Sequence, residues 1–433
     1  MKKILLLFII AALKMLMADT VNGAEMAQSL AGDYGINGYS IAYSENGEIT
    51  FQNYGNGIDE KSVFELASNG KVVSAYIALK LVDEGKLCLD EKIAPYLKPD
   101  LLTNDIRMNN ITLRQLLCHT AGFSPSFEFG VDKKLYSDPG MEFRYSGVGY
   151  IYLQSVIENV SGLTMEQAAR HYVYKPLGMK NSTFEHTKTV TPYMDLSSAV
   201  LYALAVFIIV FIVLLLTASI LGKITKFKFY SFQSSMLACL AIASIINVLF
   251  LLFTPISKVV IVFLMYIVLI GLAFVFTKKK LKVFYASMPV LTILILILSL
   301  TIPASIPVTN DLAAKEANCA YTFKSTSEDM AIFCGELMRQ YSRDDKEIKN
   351  MFVQAISIDD VNSWGLGIAI ESEIEGETYW HSGINPGFQS LIVLYPTQDK
   401  YVIILTNSDN GLSFSKDIAR IFLGIDGTWD IKR

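Results

Sequence analysis

The chain has 433 residues, which is long enough for two or three domains. Hydrophobic residues make up 52% of it and the mean hydropathy is +0.38. This is too apolar for a purely soluble protein, so we expect part of the chain to lie in a membrane. The net charge is −4, without a basic cluster outside the apolar segments, and this excludes an electrostatic surface for nucleic acid.

The N-terminal sequence MKKILLLFIIAALKM has the pattern of a signal peptide. Two lysines precede an apolar run of about ten residues, which is shorter than the roughly 18–20 residues needed to span a bilayer. Ala18 and Ala24 offer cleavage points, and an uncleaved anchor is the alternative. We therefore predict that residues 1–24 are a signal peptide or N-terminal anchor and that the chain is exported.

The segment that follows indicates a globular, mixed structure. GYSIAYSENGEITFQNYG alternates apolar and polar residues around Glu45-Asn46-Gly47, and Asn-Gly is a strong hairpin signal. FELASNGKVVSAYIALKLVDEGK, residues 64–86, is predicted to be one long buried helix because apolar residues lie on almost every side of it.

Within this predicted helix, Ser68 stands three residues before Lys71. Residues three apart share a helix face, so the lysine can lie beside the serine as its base, and a helix start offers N–H groups to a developing oxyanion. An ordinary capped helix is the alternative. The pattern occurs again at Ser413-Phe414-Ser415-Lys416, after the turn SDNG, where we expect a surface helix with serine as a favoured N-cap.

Four apolar segments in the middle of the chain are each long enough to span a bilayer. By the positive-inside rule, the lysine-rich loops after the first and third segments are cytoplasmic, so residues 25–196 and 308–433 both face outward and can fold as one unit. We interpret the block as an anchor, since no charged residue lies at a segment centre, with signal transmission as the alternative. The predicted transmembrane segments are 197–221, 231–253, 259–277 and 286–307.

The last part of the chain is again mixed. SEDMAIFCGELMRQY is predicted to be an amphipathic helix, WGLGIAIESEI, TYWHSG, FQSLIVLYP and KYVIILTN to be successive antiparallel strands, and FSKDIARIFLG to be a closing helix. Strands at both ends of the chain with helices between them predict an α+β fold, a three-layer α/β/α sandwich around an antiparallel sheet.

The distribution of cysteines and histidines argues against a metal site or a disulfide framework. The five cysteines are an odd count and are scattered, and no paired Cys or His motif of metal-ligand spacing occurs. We expect no metal and no other cofactor.

Three stretches together resemble the motifs of the serine β-lactamase and penicillin-binding-protein superfamily, most closely its class C β-lactamase-related branch. They are ELASNGK, then MEFRYSGVGYIYLQ, then YWHSGINPGF, in the family's order. The resemblance continues through LVDEGKLCLDEKIAPYL, ITLRQLLCHTAGF and PLGMKNSTF, and resumes after the apolar block at CAYTFKSTSEDMAIF. It implies a β-lactamase-like fold in residues 25–196 and 308–433, with the transmembrane block as an unusual insertion.

The resemblance also implies the roles of individual residues. Ser68 would be the acylated nucleophile and Lys71 its base or proton relay. Tyr145 would be the second candidate base if Lys71 supplied nearby positive charge. His381 would orient the substrate and help to transfer protons. The backbone N–H groups of Ser68 and Ile384 would form the oxyanion hole. The residues expected to contact the substrate are Ser382, Gly383, Ile384 and Ser146.

The second motif departs from the family. It usually reads Tyr-x-Asn, whereas here it is Tyr145-Ser146-Gly147, so the amide that contacts the lysine and the substrate carbonyl is missing unless Ser146 or Asn69 replaces it. His119, by contrast, is expected to be structural, bonding the backbone near a turn.

These features lead to a hypothesis with two alternatives. The chain would be a membrane-anchored, extracytoplasmic serine hydrolase acting on D-alanyl peptides or esters of the cell envelope, on β-lactams or on related small esters. The alternatives are a penicillin-binding sensor that relays ligand binding through the membrane segments, and an inactive descendant of a hydrolase.

Overall fold

The computed structural model describes residues 23–102, 104–124, 134–195, 305–307, 317–343, 347–374 and 376–431. Internal contacts divide the chain into two units: Met1–Tyr193 with Ala313–Arg433 forms the first, and Met194–Leu312 forms the second. All the candidate site residues belong to the first unit.

The first unit is built on an eight-stranded antiparallel sheet with the strand order β2-β1-β12-β11-β10-β9-β8-β7. Strands from the N-terminal part of the sequence thus pair with the last strand of the chain. The strands of this sheet are β1 (Tyr39–Glu45), β2 (Glu48–Tyr54), β7 (Ile356–Ser357), β8 (Asn362–Trp364), β9 (Ala369–Glu373), β10 (Gly376–Asn385), β11 (Phe388–Tyr395) and β12 (Lys400–Thr406).

Helices surround this sheet and the segments beside it. The α-helices described in this unit are α1 (Gly23–Tyr34), α2 (Gly70–Asp83), α3 (Leu113–Leu117), α4 (Gly147–Ser161), α5 (Met165–Ala169), α6 (Lys175–Leu177), α7 (Ser327–Tyr341) and α8 (Gly411–Leu423). The shorter helical turns are Ala94–Tyr96, Pro99–Leu101, Ile106–Asn110, Arg170–Tyr174, Glu347–Phe352 and Pro396–Gln398.

The alternation of side chains along β1 explains why helices cover both faces of the sheet. Tyr39 and Tyr43 point to the same face, where their rings contact Phe414 and Phe422 of α8. Ser40 points to the other face, where its hydroxyl lies 2.7 Å from the hydroxyl of Ser327 at the start of α7. The helices α8 and α7 therefore lie on opposite faces of the sheet, and the predicted α+β fold with an antiparallel sheet is confirmed.

The hairpin predicted at the Asn-Gly pair is also confirmed. β1 and β2 pair up to Glu45 and Glu48, with Asn46 (φ +52°) and Gly47 (φ +81°) between them. Both turn residues have positive φ, which is the requirement of the two-residue hairpin turn that asparagine and glycine favour.

The long helix predicted for residues 64–86 begins later than expected. Phe64–Ala67 is a strand, β3, which pairs with β6 (Phe323–Ser325), and α2 begins only at Gly70. Ala67 has φ +47°, which a right-handed helix cannot contain. The strand depends on pairing with a segment more than 250 residues away, and this could not be read from local apolar spacing.

Of the second unit, the structure describes only two short strands. β4 (Tyr193–Asp195), whose first residue belongs to the first unit, pairs with β5 (Ser305–Pro307). The fourth predicted membrane segment was expected to reach residue 307, but its last three residues form β5. Pro303 and Pro307 each lack the N–H that a continuing helix requires, which disfavours a helix at this point of the sequence.

The rest of the four predicted transmembrane segments lies outside the described residues. Among the helices that the structure does describe, none combines the length and apolar content needed to cross a bilayer.

Candidate active site

Ser68 lies in the turn between β3 and α2, and Lys71 lies in the first turn of that helix. The lysine side chain is 2% exposed. Its Nζ donates hydrogen bonds to Ser68 Oγ (3.0 Å) and to the backbone carbonyl of Ala320 (2.6 Å), and Ser68 Oγ lies 3.4 Å from the same carbonyl. A buried lysine thus contacts the predicted nucleophile directly, and it can accept the serine proton once Nζ has released a proton of its own.

The partners that the structure describes for the Lys71 ammonium group are all neutral. Besides the hydroxyl and the carbonyl, the rings of Tyr145 and Tyr150 lie 5.1 and 5.7 Å from Nζ, measured to their centroids. Ring faces attract a cation at this range, and they do so more strongly when water is excluded. The ammonium group is therefore held between Ser68, Ala320 and two aromatic rings.

Tyr145 connects the first motif to the third. Its ring centroid lies 6.1 Å from that of His381, 5.8 Å from Trp364 and 4.4 Å from His119, in addition to its contact with Lys71. The four residues predicted to be catalytic, Ser68, Lys71, Tyr145 and His381, therefore come together in the fold although they are far apart in the sequence.

His381 is a buried, neutral histidine. It lies on β10 with 2% exposure, and its Nδ1 donates to the carbonyl of Ser382 (2.8 Å). Burial lowers its pKa to about 3, and the charge of Lys71 adds to this effect. Since Nδ1 faces a carbonyl, the proton of the neutral ring belongs on Nδ1, and Nε2, which has no partner among the described residues, is the acceptor.

Gly383 lets β10 pass close to β3. A Cβ added at Gly383 would lie 1.9 Å from the carbonyl oxygen of Leu66, so no other residue fits without a shift of the backbone. The pairing of β10 with β9 ends at Trp380, so this edge of β10 is not occupied by β9 beyond that point. In an antiparallel strand, alternate N–H groups then point away from the remaining partner strand and are open to other acceptors.

The remaining predicted substrate contacts divide into exposed and buried residues. Ile384 is 54% exposed and Ser382 is partly exposed, so both can reach a ligand. Ser146 is buried. Its hydroxyl accepts from the N–H of Gly149 (2.9 Å) as the N-cap of α4 and donates to the carbonyl of Ser124 (2.5 Å). The Ser146 hydroxyl is thus committed to the backbone, and its contact with substrate stays a prediction.

His119 is hydrogen-bonded to the backbone of the second motif. Its Nδ1 accepts from the backbone N–H of Ser146 (3.1 Å), in agreement with the expectation that it bonds the backbone. Burial, followed by the charge of Lys71, lowers its pKa well below the usual value, so this ring is also neutral. Its ring packs against those of Tyr145 and Tyr150 at interplanar angles of 37° and 36°.

The replacement of the missing amide of the second motif by Asn69 stays a prediction, because the structure commits only the NH₂ end of this side chain and leaves its Oδ1 without a partner among the described residues. Its side chain is fully buried, and its Nδ2 donates to the hydroxyl of Ser390 on β11 (2.8 Å). The amide nitrogen is therefore held against the sheet. Gly147 itself is the first residue of α4.

Gly70, in the Ser-x-x-Lys motif, is explained by the close approach of another segment. A Cβ at this position would lie 2.6 Å from Cβ of Phe323 and 2.9 Å from Cε1 of Phe184. Both rings are fully buried, so neither can move aside cheaply.

Two partners at the site were not predicted from the sequence. The carbonyl of Ala320 carries no side-chain signal, because every residue has a carbonyl. Trp364 was assigned only to a predicted strand, and its buried indole packs against Tyr145, His119 and His381.

Known proteins of similar sequence match only part of the chain. Protein flp of Staphylococcus aureus (strain MW2) is 31% identical over 178 residues, which is 35% of this chain and 36% of that protein. A protein of Escherichia coli (strain K12) described as a putative D-alanyl-D-alanine carboxypeptidase is 30% identical over 147 residues, which is 28% of this chain and 34% of that protein. The matched region thus spans about a third of the curated relatives' length.

Solved structures of similar fold cover nearly the whole chain. A β-lactamase/D-alanine carboxypeptidase from Pseudomonas syringae superposes with a TM-score of 0.61 at 14% identity, covering 93% of this chain and 98% of that one. A class C β-lactamase superposes with a TM-score of 0.60 at 14% identity, covering 95% and 96%. The fold is therefore that of these proteins.

The sequence profile of the family described as Beta-lactamase matches residues 23–194 and 304–424, which is more than half of the chain. These two ranges contain Ser68, Lys71 and Tyr145 in the first and His381 in the second. The contact between Lys71 and Ser68, the superposition of the fold and this match agree: the chain belongs to the β-lactamase family.

Proposed function

We propose that the protein is a serine hydrolase that works through an acyl-enzyme on Ser68. The observation that carries this proposal is the 3.0 Å hydrogen bond between the buried Lys71 Nζ and the partly exposed Ser68 Oγ. The proposal is further supported by the position of Tyr145 beside the same ammonium group and by the family to which the chain belongs.

The reaction would proceed in two steps. Ser68 Oγ attacks the substrate carbonyl carbon while its proton passes to Lys71 or Tyr145, whichever is deprotonated in the reacting complex. The tetrahedral intermediate then expels the alcohol or amine, which takes up that proton, and Ser68 is left esterified. Water repeats the attack on this ester, releases the acid and restores the serine hydroxyl. The N–H groups of Ser68 and Ile384 would bind the oxyanion.

For the substrate, we propose small acyl esters in preference to amides, with D-alanyl peptides or esters of the cell envelope and β-lactams as the wider class. Gly147 cannot hold an amide carbonyl as the usual asparagine does, and Asn69 is held by Ser390. An ester also has a better leaving group, so its hydrolysis depends less on such a contact.

We also propose that the chain is anchored in a membrane by residues 197–307 with the hydrolase outside the cytoplasm. The apolar segments and the lysine-rich loops between them support this proposal. The test is alkaline washing of membranes from cells that express the full chain. The chain should stay in the membrane pellet, and its release into the supernatant would contradict the anchor.

The catalytic proposal is tested by covalent labelling of the full-length chain with a fluorescent penicillin and, separately, with a fluorophosphonate. Wild type should be labelled by at least one of the two probes, Ser68→Ala by neither, and Ser413→Ala like wild type, since Ser413 is the serine of the second Ser-x-x-Lys copy. Labelling of Ser68→Ala, or failure of wild type to be labelled, would contradict the proposal. A penicillin label that forms rapidly and is not released would favour a sensor, whereas the fluorophosphonate label is stable in either case and reports only the nucleophile.

A further inference from the structure

The side-chain amide of Asn385 joins three segments that each carry part of the site. Asn385 is the last residue of β10, directly after Ile384. Its Nδ2 donates to the Glu65 carboxylate (Oε2, 2.7 Å) and to the backbone carbonyl of Tyr321 (3.2 Å). Glu65 lies on β3, three residues before Ser68, and Tyr321 follows Ala320, whose carbonyl accepts from Lys71.

The chemistry of the two partners determines the orientation of this amide. A carboxylate and a backbone carbonyl are both acceptors, so only the NH₂ end of Asn385 can face them, and each of its two protons has one partner. The bond to the carboxylate is charge-assisted, which makes it about twice as strong as a neutral one. Both side chains are partly buried, so water competes only in part.

A second lysine, Lys324, places a positive charge on the strand that pairs with Glu65. Lys324 is directly opposite Glu65 in the pairing of β3 with β6, and its side chain is 2% exposed. Burial lowers the pKa of Lys324, and the charge of Glu65 acts against this lowering. The Lys324 Nζ itself donates to the carbonyl of Thr322 (3.0 Å), so its effect on the Glu65 carboxylate is an attraction at longer range.

We propose that Asn385 and Glu65 form a positioning pair that fixes the spacing between the Ser68 nucleophile, the Ala320 carbonyl and the Ile384 N–H group. This inference rests on the proposed acyl-enzyme function. The pair acts through the three segments, because its two hydrogen bonds are the described side-chain links from the end of β10 to β3 and to the segment that holds Lys71. Loss of the pair should therefore slow acylation, because misplacement of about 1 Å can cost about 100-fold in rate.

The test compares Asn385→Asp, Glu65→Gln and the double variant in the full-length chain. Asn385→Asp keeps the shape but places a carboxylate against two acceptors, so acylation of Ser68 by a fluorophosphonate should slow by about 10- to 100-fold. Glu65→Gln keeps an acceptor and should slow it by less than about threefold. In the double variant the glutamine NH₂ at position 65 can donate to the carboxylate introduced at position 385, so at least about fivefold of the rate should return relative to Asn385→Asp.

The control and the readouts separate this role from a merely structural one. Asn159→Asp is the matched control, because Asn159 Nδ2 also donates to a carbonyl, that of Tyr96, on an exposed surface. It should label at the wild-type rate. With an ester substrate, Asn385→Asp should lower kcat while KM changes little, at a concentration of folded protein checked by thermal unfolding.

The outcomes for the pair and for the proposed function are distinguishable. Failure of wild type to label would overturn the proposed function. Wild-type labelling with an unchanged rate in Asn385→Asp, or without recovery in the double variant, would overturn the positioning pair alone. A loss that is explained entirely by a smaller folded fraction would overturn it as well.

Discussion

The chain contains the Ser-x-x-Lys pattern twice, and the two copies have different structures. Ser68 and Lys71 straddle the start of α2, where the lysine is buried and its Nζ contacts the serine hydroxyl at 3.0 Å. Ser413 and Lys416 lie inside α8, where the serine is exposed and Lys416 Nζ pairs with Asp430 at 3.2 Å. Spacing alone therefore does not make a nucleophile and its base.

The second copy also differs from the expectation that its serine caps a helix. The N-cap of α8 is Asn410, and Ser413 is the third helical residue. The prediction of a helix there is confirmed, but its start was placed too late because the turn SDNG itself leads directly into the helix. What separates the copies is the surroundings of each lysine: neutral buried groups around Lys71, and a carboxylate near the surface for Lys416.

The strongest test of this comparison removes each lysine in turn. Lys71→Ala should slow acylation of Ser68 by about 10²- to 10⁴-fold, since a positioned proton-transfer group contributes that much. Lys416→Ala should leave the rate unchanged. Labelling rates with a fluorophosphonate measure both. Equal labelling rates in the two variants would contradict the proposed difference between the two copies.

Because the first copy lies in a buried site, we expect the free energy of unfolding to depend on pH in the acid range. His381 has a pKa of about 3 in the fold, against 6.5 in the unfolded chain, so unfolding takes up a proton between these values. The free energy of unfolding should fall by up to about 1.4 kcal/mol per pH unit as pH drops from 6.5 towards 3.

The His381→Gln variant should lose this part of the acid dependence, since its side chain cannot be protonated. His171→Gln, at an exposed position, should keep it. Urea unfolding at a series of pH values measures the slopes. Equal slopes in wild type and His381→Gln would show that His381 is not the source.

The third residue of the pattern offers a test by packing. Gly70→Ala should lower the free energy of unfolding by about 1–3 kcal/mol, because the new methyl group meets Phe323 and Phe184. In the second copy, Ser415→Ala removes a hydroxyl that bonds the Gly411 carbonyl within α8, at a cost of about 0.5–1.5 kcal/mol at most. A stabilised Gly70→Ala variant, as helix propensity alone predicts, would refute the close approach.

The smallest effect is expected at the ion pair of the second copy. Asp430 has a side chain that is 69% exposed, and Asp430→Asn should change the free energy of unfolding by less than about 1 kcal/mol, with no effect on labelling. Thermal unfolding in low and high salt measures the change. A loss well above that range would mean that the ion pair contributes more than the exposure of Asp430 indicates.

Strong local patterns were sufficient for much of the fold. The Asn46-Gly47 hairpin, the helix Ser327–Tyr341 and the strands β10, β11 and β12 were predicted because alternation, helical periodicity and turn residues are local signals. WGLGIAIESEI was predicted as one strand, but β8 ends at Trp364 and β9 begins only at Ala369. Strand β3 was missed because its conformation depends on pairing with β6, far along the chain.

For the site, the sequence indicated which side chains belong together but not what surrounds them. The order of the three motifs pointed to Ser68, Lys71, Tyr145 and His381, and the structure brings them together. The substrate roles of Ser382, Gly383, Ile384 and Ser146 stay predictions.

By itself, the sequence determined the residue types at the site and the elements that carry them, because motifs and periodicity are properties of neighbouring residues. Only the tertiary structure decided which Ser-x-x-Lys copy has a buried lysine, that His381 is neutral, and that Asn385 meets Glu65. The physical reason is that burial and hydrogen-bond partners arise when distant segments pack, and no local pattern records which segments these are.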